Sequence, residues 1–455
     1  MTAPSSVKFP GPFVIDELTV DGAAVGLGYR LGELRFVERI EFPVELPDTP
    51  ALRAALKVLH LVAGVSYYKC GVPTPIHTPP LTAAERSLME ALYDKGLREL
   101  AYRNGLAMPL PVELVERQEP SPVEPSPVEP ADGPAPPGGH GALIPIGGGK
   151  DSALVGDLVP DGRLMSVNPV GGHEALAARL GRPLQRVRRT MDPGLRAAVE
   201  AGAINGHVPV TAINSAIAVV LAAALGLRDV LMGLERSASE PTLVADGVEV
   251  NHQFSKSAEA EALLQDVFAP TGVRYLSVLR PMTELAIGGA VAERGLTDSI
   301  LSCNRAFTVW SGNESSRNQR PCGECAKCLF TALMLAPSSD PSEVREHFGR
   351  DLLDEPELLD EVRALWSSEK PFDCVGERHE SAAAVVMLSR LKEWRDQAVP
   401  RELAAEASGV LEEVGARPER YLELDGTDEL PEEYRELINS LAAPLSDVGD
   451  RLDEA

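Results

Sequence analysis

A chain of 455 residues, 44% of them hydrophobic, has room for two or three domains and enough apolar side chains to fill ordinary cores. Its formal net charge of −25 gives a surface that repels nucleic acid and anionic membrane, so a nucleic-acid-binding role is disfavoured. The charge is uneven, because residues 401–455 alone hold 16 acidic and 5 basic side chains.

The N-terminal segment has no basic start followed by an apolar stretch, so no secretory signal is expected. The most apolar run, Ala212–Leu227, is shorter than a bilayer span and carries Asn214 and Ser215, so it reads as a core helix. Six cysteines, three of them bunched, suit a reducing compartment and a metal better than a disulfide framework. The expectation is a cytoplasmic protein with no nucleic-acid partner and no membrane insertion.

Taken in order, residues 1–115 read as a small α+β unit. Phe13–Leu18, Leu27–Leu31 and Glu33–Phe42 alternate partly in twos, with Asp21-Gly22 as a turn signal. Two helices follow: Ala51–Tyr68, and Thr82–Asn104, which opens with a Thr82/Glu85 capping box. The Tyr67-Tyr68-Lys69-Cys70 group at the first helix end reads as packing. Residues 116–140, rich in proline and glutamate, cannot pair a sheet and read as a semi-extended linker.

From 141 to 300 strand and helix patterns alternate. Strands are expected at Ala142–Ile146, Leu164–Asn168, Leu184–Thr190 and Asp229–Leu234, with helices at Lys150–Val159, His173–Leu180 and Pro209–Leu225. Repeated βα units argue for a parallel sheet covered on both faces, with ligands at the carboxyl ends of its strands. Residues 301–400 are Cys-rich and then helical, and 401–455 form an acidic tail expected to be largely mobile.

The strongest chemical signal is Ile144-Pro-Ile-Gly147-Gly148-Gly149-Lys150-Asp151-Ser152. A buried strand, a glycine turn and a helix start bring backbone N–H groups to an anion. A Walker A loop would need Gly at 144 and Ser or Thr at 151, where Ile144 and Asp151 stand. The dinucleotide pattern would need Gly at 152, which is Ser. What remains resembles the S-G-G-x-D-S loop of PP-loop ATP pyrophosphatases, with Gly147 in place of the first Ser. The helix after Ser152 is also short, broken by Pro160-Asp161-Gly162.

Further polar segments mark a site. Glu235, in the loop after the Asp229 strand, is a candidate for metal or substrate contact, or equally a helix-cap or surface carboxylate. Asn251–Ser257 gathers His252 and Lys256 with two amides, and Asn205-Gly206-His207 precedes the Pro209 helix. Cys322-Gly-Glu-Cys325-Ala-Lys-Cys328, with Cys303 as fourth thiolate, fits tetrahedral zinc of structural role; Cys374 is the rival fourth ligand. An iron–sulfur run of bacterial ferredoxin type would need a further Cys-Pro, absent here.

Together these residues resemble one family, the ATP-dependent UDP-N-acetylmuramoyl-L-alanyl-L-glutamate epimerases of MurL type. The resemblance runs over Gly11–Leu18, His60–Lys69, Ile144–Ser152, Asn205–Thr211, Asn251–Ser257, Ser302–Asn304, Cys322–Phe330 and Lys370–Gly376. The cysteine pattern is also similar to that of the 7-cyano-7-deazaguanine synthases, a zinc-binding PP-loop group. The resemblance implies a PP-loop α/β domain with a small N-terminal α+β domain and a zinc-stabilised helical C-terminal region. It implies the substrate UDP-MurNAc-L-Ala-L-Glu, its D-Glu epimer as product, and ATP passing to AMP and pyrophosphate through an acyl-adenylate. On this reading Gly147, Gly148, Gly149, Lys150, Asp151 and Ser152 hold ATP, and Asp151 holds Mg²⁺. His252, Lys256 and Cys303 are nominees for the Cα proton, with Cys303 favoured for zinc, and Arg236, Arg280 and Arg305 for the anionic sugar nucleotide. Two alternatives stand beside it: a PP-loop enzyme that adenylates a base or amide for thiolation or amidation, and a non-catalytic ATP-binding protein.

Overall fold

The computed structural model describes residues 11–117, 139–307, 320–443 and 445. Most of the expected linker, residues 118–138, lies outside them, as does the end of the tail. The strands are β1 (Phe13–Asp21), β2 (Ala24–Leu31), β3 (Leu34–Glu41), β4 (Ile76–Thr78), β5 (Leu114–Glu116), β6 (Ala142–Pro145), β7 (Arg163–Val167), β8 (Leu184–Thr190), β9 (Asp229–Met232), β10 (Leu243–Ala245), β11 (Val248–Val250) and β12 (Arg274–Ser277).

Ten of these form one mixed sheet in the order β12-β9-β6-β7-β8-β3-β2-β1-β4-β5, and β10 and β11 form a separate hairpin. From β12 to β8 every neighbouring pair is parallel. From β8 through β3 and β2 to β1 the pairs are antiparallel, and β1, β4 and β5 run parallel again. The expected alternation of βα units is therefore present. The sequence reading missed β4, β5, β10, β11 and β12, which are three or four residues long and too short for periodicity to mark.

The N-terminal unit joins the parallel sheet through β3 and β8, where Arg39 faces Thr190 and Glu41 faces Arg188. It also shares a core with it. Helix Pro50–Ala63 packs on helix Val210–Ala224, and the buried side chains of both belong to one cluster. Along the central strands successive side chains pass to opposite faces. Leu143, Met165, Val230 and Tyr275 point to that cluster. Their neighbours Ile144, Leu164, Leu231 and Leu276 point to a second one, with helices Lys150–Leu158, Glu284–Glu293, Ala326–Leu335 and Arg378–Arg390.

The tail corrects expectation. Helix Ala398–Glu412 packs on helix Arg378–Arg390 through Leu403, Ala407 and Leu411, spaced by four residues. Farther on, Tyr434 Oη donates to Asp229 Oδ2 at 2.5 Å, and the Glu433 carboxylate accepts from Arg228 at 3.0 Å and Arg274 at 2.7 Å. Its apolar residues are only loosely periodic in sequence, yet they complete the second core. Among the described residues no helix is long and apolar enough to cross a membrane.

Candidate functional site

Strand β6 ends at Pro145, the chain turns through Gly147–Gly149, and helix Lys150–Leu158 begins. Gly148 has φ +76°, a left-handed conformation that favours glycine. Ser152 Oγ accepts from the Gly147 N–H at 3.2 Å and donates to the Gly149 carbonyl at 3.2 Å, which curls the loop. The Ser302–Asn304 segment lies on this loop. Leu301 N–H donates to the Gly148 carbonyl at 2.6 Å, and Lys150 N–H to Ser302 Oγ at 3.3 Å. Opposite, Gly233 after β9 approaches so closely that a Cβ would lie 3.0 Å from the Asp151 backbone. The two loops therefore face one cleft, as expected, at the carboxyl ends of β6, β7 and β9. Gly147, Gly149, Asp151, Ser152, Asn214, Lys256, Ser302, Asn304 and Lys327 line it.

Lys150 departs from expectation. Its side chain is completely buried and lies on Asp151 and Glu284 instead of lining the cleft. Burial pushes its ammonium pKa down, and Asp151 opposes that shift. Asp151 is also penalised by burial, but Lys150, Lys327 and Lys256 hold its carboxyl below the ordinary range. Glu284 lies 3.6 Å from Lys327 Nζ. Glu235 is fully buried, and neither of its carboxylate oxygens has a hydrogen-bond partner among the described residues. Carboxylate oxygens of Asp151, Glu235 and Glu284 lie within 4.8 Å of one another. The surface-carboxylate alternative for Glu235 therefore falls. Such hard oxygen donors fit a divalent cation, and a buried carboxylate without partners is costly unless one arrives.

The four cysteines converge as expected. One sulfur from each of Cys303, Cys322, Cys325 and Cys328 lies within 4.8 Å of the others, with Cys322–Cys328 at 3.7 Å and Cys325–Cys328 at 3.5 Å. Backbone N–H groups of Cys322 and Glu324 point at Cys303 Sγ and Cys322 Sγ, each at 3.4 Å. Contacts with Cys303 and Cys328 pull the Cys325 thiol down, whereas those with Cys303 and Cys325 push Cys328 up. Four clustered sulfurs ionise together only beside a cation, and this donor set suits zinc. Cys374 is no part of this cluster.

A second polar group lies beside the cleft and draws on the N-terminal unit. His252 Nδ1 is 2.5 Å from Glu99 Oε2, its ring centroid is 4.3 Å from that of His207, and Cys374 is near enough to act on its charge. Lys256 Nζ donates to Gln253 Oε1 at 3.1 Å, and Gln253 Nε2 to the Val375 carbonyl at 2.9 Å. Lys69 Nζ donates to Asn205 Oδ1 at 2.6 Å, so the segment read as packing also ties the N-terminal unit to the parallel-sheet unit. Burial drives His207 down to about 4. It works against the charged His252 as well, but Cys374 and Glu99 raise that imidazole to about 9.

The arginine nominees are engaged within the protein. Arg280 Nη1 donates to the Glu235 carbonyl at 2.6 Å and its other nitrogens bind Glu261 and the Lys256 carbonyl, bracing both loops. Arg236 pairs with Asp425 and Arg305 with Glu324. Sequence reasoning missed Glu99, Glu284 and Lys327. Lys327, between two cysteines of the cluster, is the one that a local signal could have found.

The profile of the MurL N-terminal domain matches residues 9–278, and that of the MurL C-terminal domain matches residues 299–417. A UDP-N-acetyl-alpha-D-muramoyl-L-alanyl-L-glutamate epimerase of Salinispora tropica is 38% identical over 435 residues, covering 92% of each chain. The epimerase of the same name from a Micromonospora species is 40% identical over 82% of this chain and 84% of its own. That of Xanthomonas oryzae pv. oryzae is 34% identical over 92% and 90%. No solved structure matches the chain. With both of its halves matched and its relatives alike over nearly their whole length, the chain belongs to the MurL family of epimerases.

Proposed function

We propose that this isomerase inverts the terminal L-Glu of UDP-MurNAc-L-Ala-L-Glu in peptidoglycan precursor synthesis, in the cytoplasm, using ATP to form an acyl-adenylate and releasing AMP and pyrophosphate. What carries the reading is the likeness to relatives of that name over 92% of the chain, together with a glycine loop that opens a helix at the carboxyl end of β6. The parallel strands β12 to β8 and this loop support a PP-loop fold for that part of the chain.

The chemistry follows from charge. The Cα–H of a free carboxylate is hardly acidic, because its removal sets a second negative charge beside the first. An anhydride with AMP removes the first charge and yields an enolate that hydrogen-bond donors stabilise. A side chain takes the proton, another returns one to the opposite face, and water releases AMP.

Backbone N–H groups of Gly147–Asp151 and the Ser152 hydroxyl hold the phosphates of ATP. Lys256 and Lys327, which line the cleft, supply the positive charge once expected of Lys150. Asp151 and Glu235 would hold Mg²⁺, which neutralises phosphate charge when bound. Cys303, Cys322, Cys325 and Cys328 would hold zinc, which fixes the Ser302–Asn304 segment over the glycine loop.

The test is pyrophosphate release from ATP and Mg²⁺ with UDP-MurNAc-L-Ala-L-Glu, followed by chiral analysis of the recovered glutamate. Release with D-Glu is expected. Release without inversion would leave an adenylating enzyme with another product, and silence from protein that binds ATP would sink the reading.

A further inference from the structure

The 370–376 segment, one of those that carry the family resemblance, holds Cys374, the rival fourth zinc ligand. The fold gives it another place. Lys370 Nζ donates to the Gly376 carbonyl at 3.0 Å and pairs with Glu240, which closes the segment into a loop. Gln253 holds its Val375 carbonyl, and Asn304, a cleft-lining residue, hydrogen-bonds Asp373. Cys374 is thereby fixed beside the cleft, half-buried, and close enough to His252 and Lys256 for their charges to act on its thiol. Behind His252 stands Glu99, with side chains 10% and 5% exposed for the two, so the order is thiol, imidazole, carboxylate.

Resting on the epimerase reading, we propose that Cys374 is the catalytic base that takes the Cα proton of the activated glutamyl residue, with His252 and Glu99 as positioning residues that keep it a thiolate. In this step the Cα–H bond breaks, an S–H bond forms on Cys374, and the electron pair passes into the enolate of the acyl-adenylate. The Lys256 ammonium, which lines the cleft, then forms the new Cα–H bond from the opposite face. The cycle ends as the thiol loses its proton to water and the amine regains one.

The surroundings are consistent with a standing thiolate. Burial favours the neutral thiol, but Lys256, His252 and Lys327 outweigh it and bring Cys374 down to about 6. The other groups around the relay are His207, held neutral by burial, Arg103, which pairs with Glu99 at 3.1 Å, and Asp373, whose carboxyl is raised chiefly by burial. A thiolate beside an imidazolium is the charge arrangement that makes a cysteine reactive near neutral pH. Cys303, the sulfur that lines the cleft, is committed to the four-cysteine cluster.

The experiment compares the full-length wild type with Cys374→Ser and Cys374→Ala on UDP-MurNAc-L-Ala-L-Glu in D₂O. Pyrophosphate release, D-Glu formation and deuterium at Cα are read separately. Both variants should keep pyrophosphate release, because the adenylate still hydrolyses, while inversion and exchange fall about 10²–10⁴-fold. Inversion by Cys374→Ser at the wild-type rate would overturn the assignment. A wild type that releases no pyrophosphate would instead overturn the epimerase reading itself. Should the variants fold poorly, iodoacetamide alkylation of the wild type, resolved by peptide mass, gives the answer. Alkylation of Cys374 should follow a titration near pH 6, move upward in Glu99→Gln and be blocked by substrate; a titration at the ordinary thiol value near 9 would overturn the proposal.

Discussion

The Lys150 ammonium lies directly on the Glu284 carboxylate, and both side chains are completely removed from solvent. The lysine of the glycine loop is thus an internal strut between helix Lys150–Leu158 and helix Glu284–Glu293. Removing one partner of a buried pair strands the other charge, which typically costs about 3–5 kcal/mol. Lys150→Met should therefore lower stability by about that amount in denaturant unfolding, and the double variant Lys150→Met/Glu284→Gln should recover part of it. Unchanged stability with only a raised KM for ATP would show that the lysine serves the phosphates instead.

The cysteine cluster predicts a metal count. Purified protein should carry one zinc per chain by elemental analysis, and single Ser variants of Cys303, Cys322, Cys325 or Cys328 should lose it. Cys374→Ser should keep it. Strong chelators should lower the melting temperature of the wild type and leave that of the zinc-free variants unchanged, since a structural site contributes its binding free energy to folding.

The acidic tail predicts a stability effect far from the cleft. Tyr434 Oη donates to Asp229, a buried carboxylate at the start of β9 that also accepts from Arg274 at 2.7 Å. Burial works against the Asp229 carboxylate, but Arg274, Tyr434 and Arg228 hold its pKa down. Tyr434→Phe removes one charged hydrogen bond and should cost about 1.5–3 kcal/mol in urea unfolding, with pyrophosphate release little changed at 25 °C. No loss of stability would mean that the Tyr434 hydrogen bond does not help to hold the tail.

Local chemistry determined much of this protein. Three glycines before Lys150-Asp151-Ser152 specify a strand, a turn and a helix start, because their spacing leaves the backbone few alternatives. The spacing of Cys322, Cys325 and Cys328 specifies a thiolate cluster for the same reason, and the Thr82/Glu85 box marks its helix start. These signals lie within a few residues of one another. Only the tertiary structure decided what depends on distant segments meeting. Cys303 joined the cluster and Cys374 lies by His252, although the sequence, while favouring Cys303, left both open as the fourth ligand. Lys150 turned inward because Glu284, more than a hundred residues away, waits there. Glu99 reached His252 because the N-terminal unit shares its sheet and its core with the parallel strands. A side chain's partners across the fold set its charge and direction, and no local pattern records them.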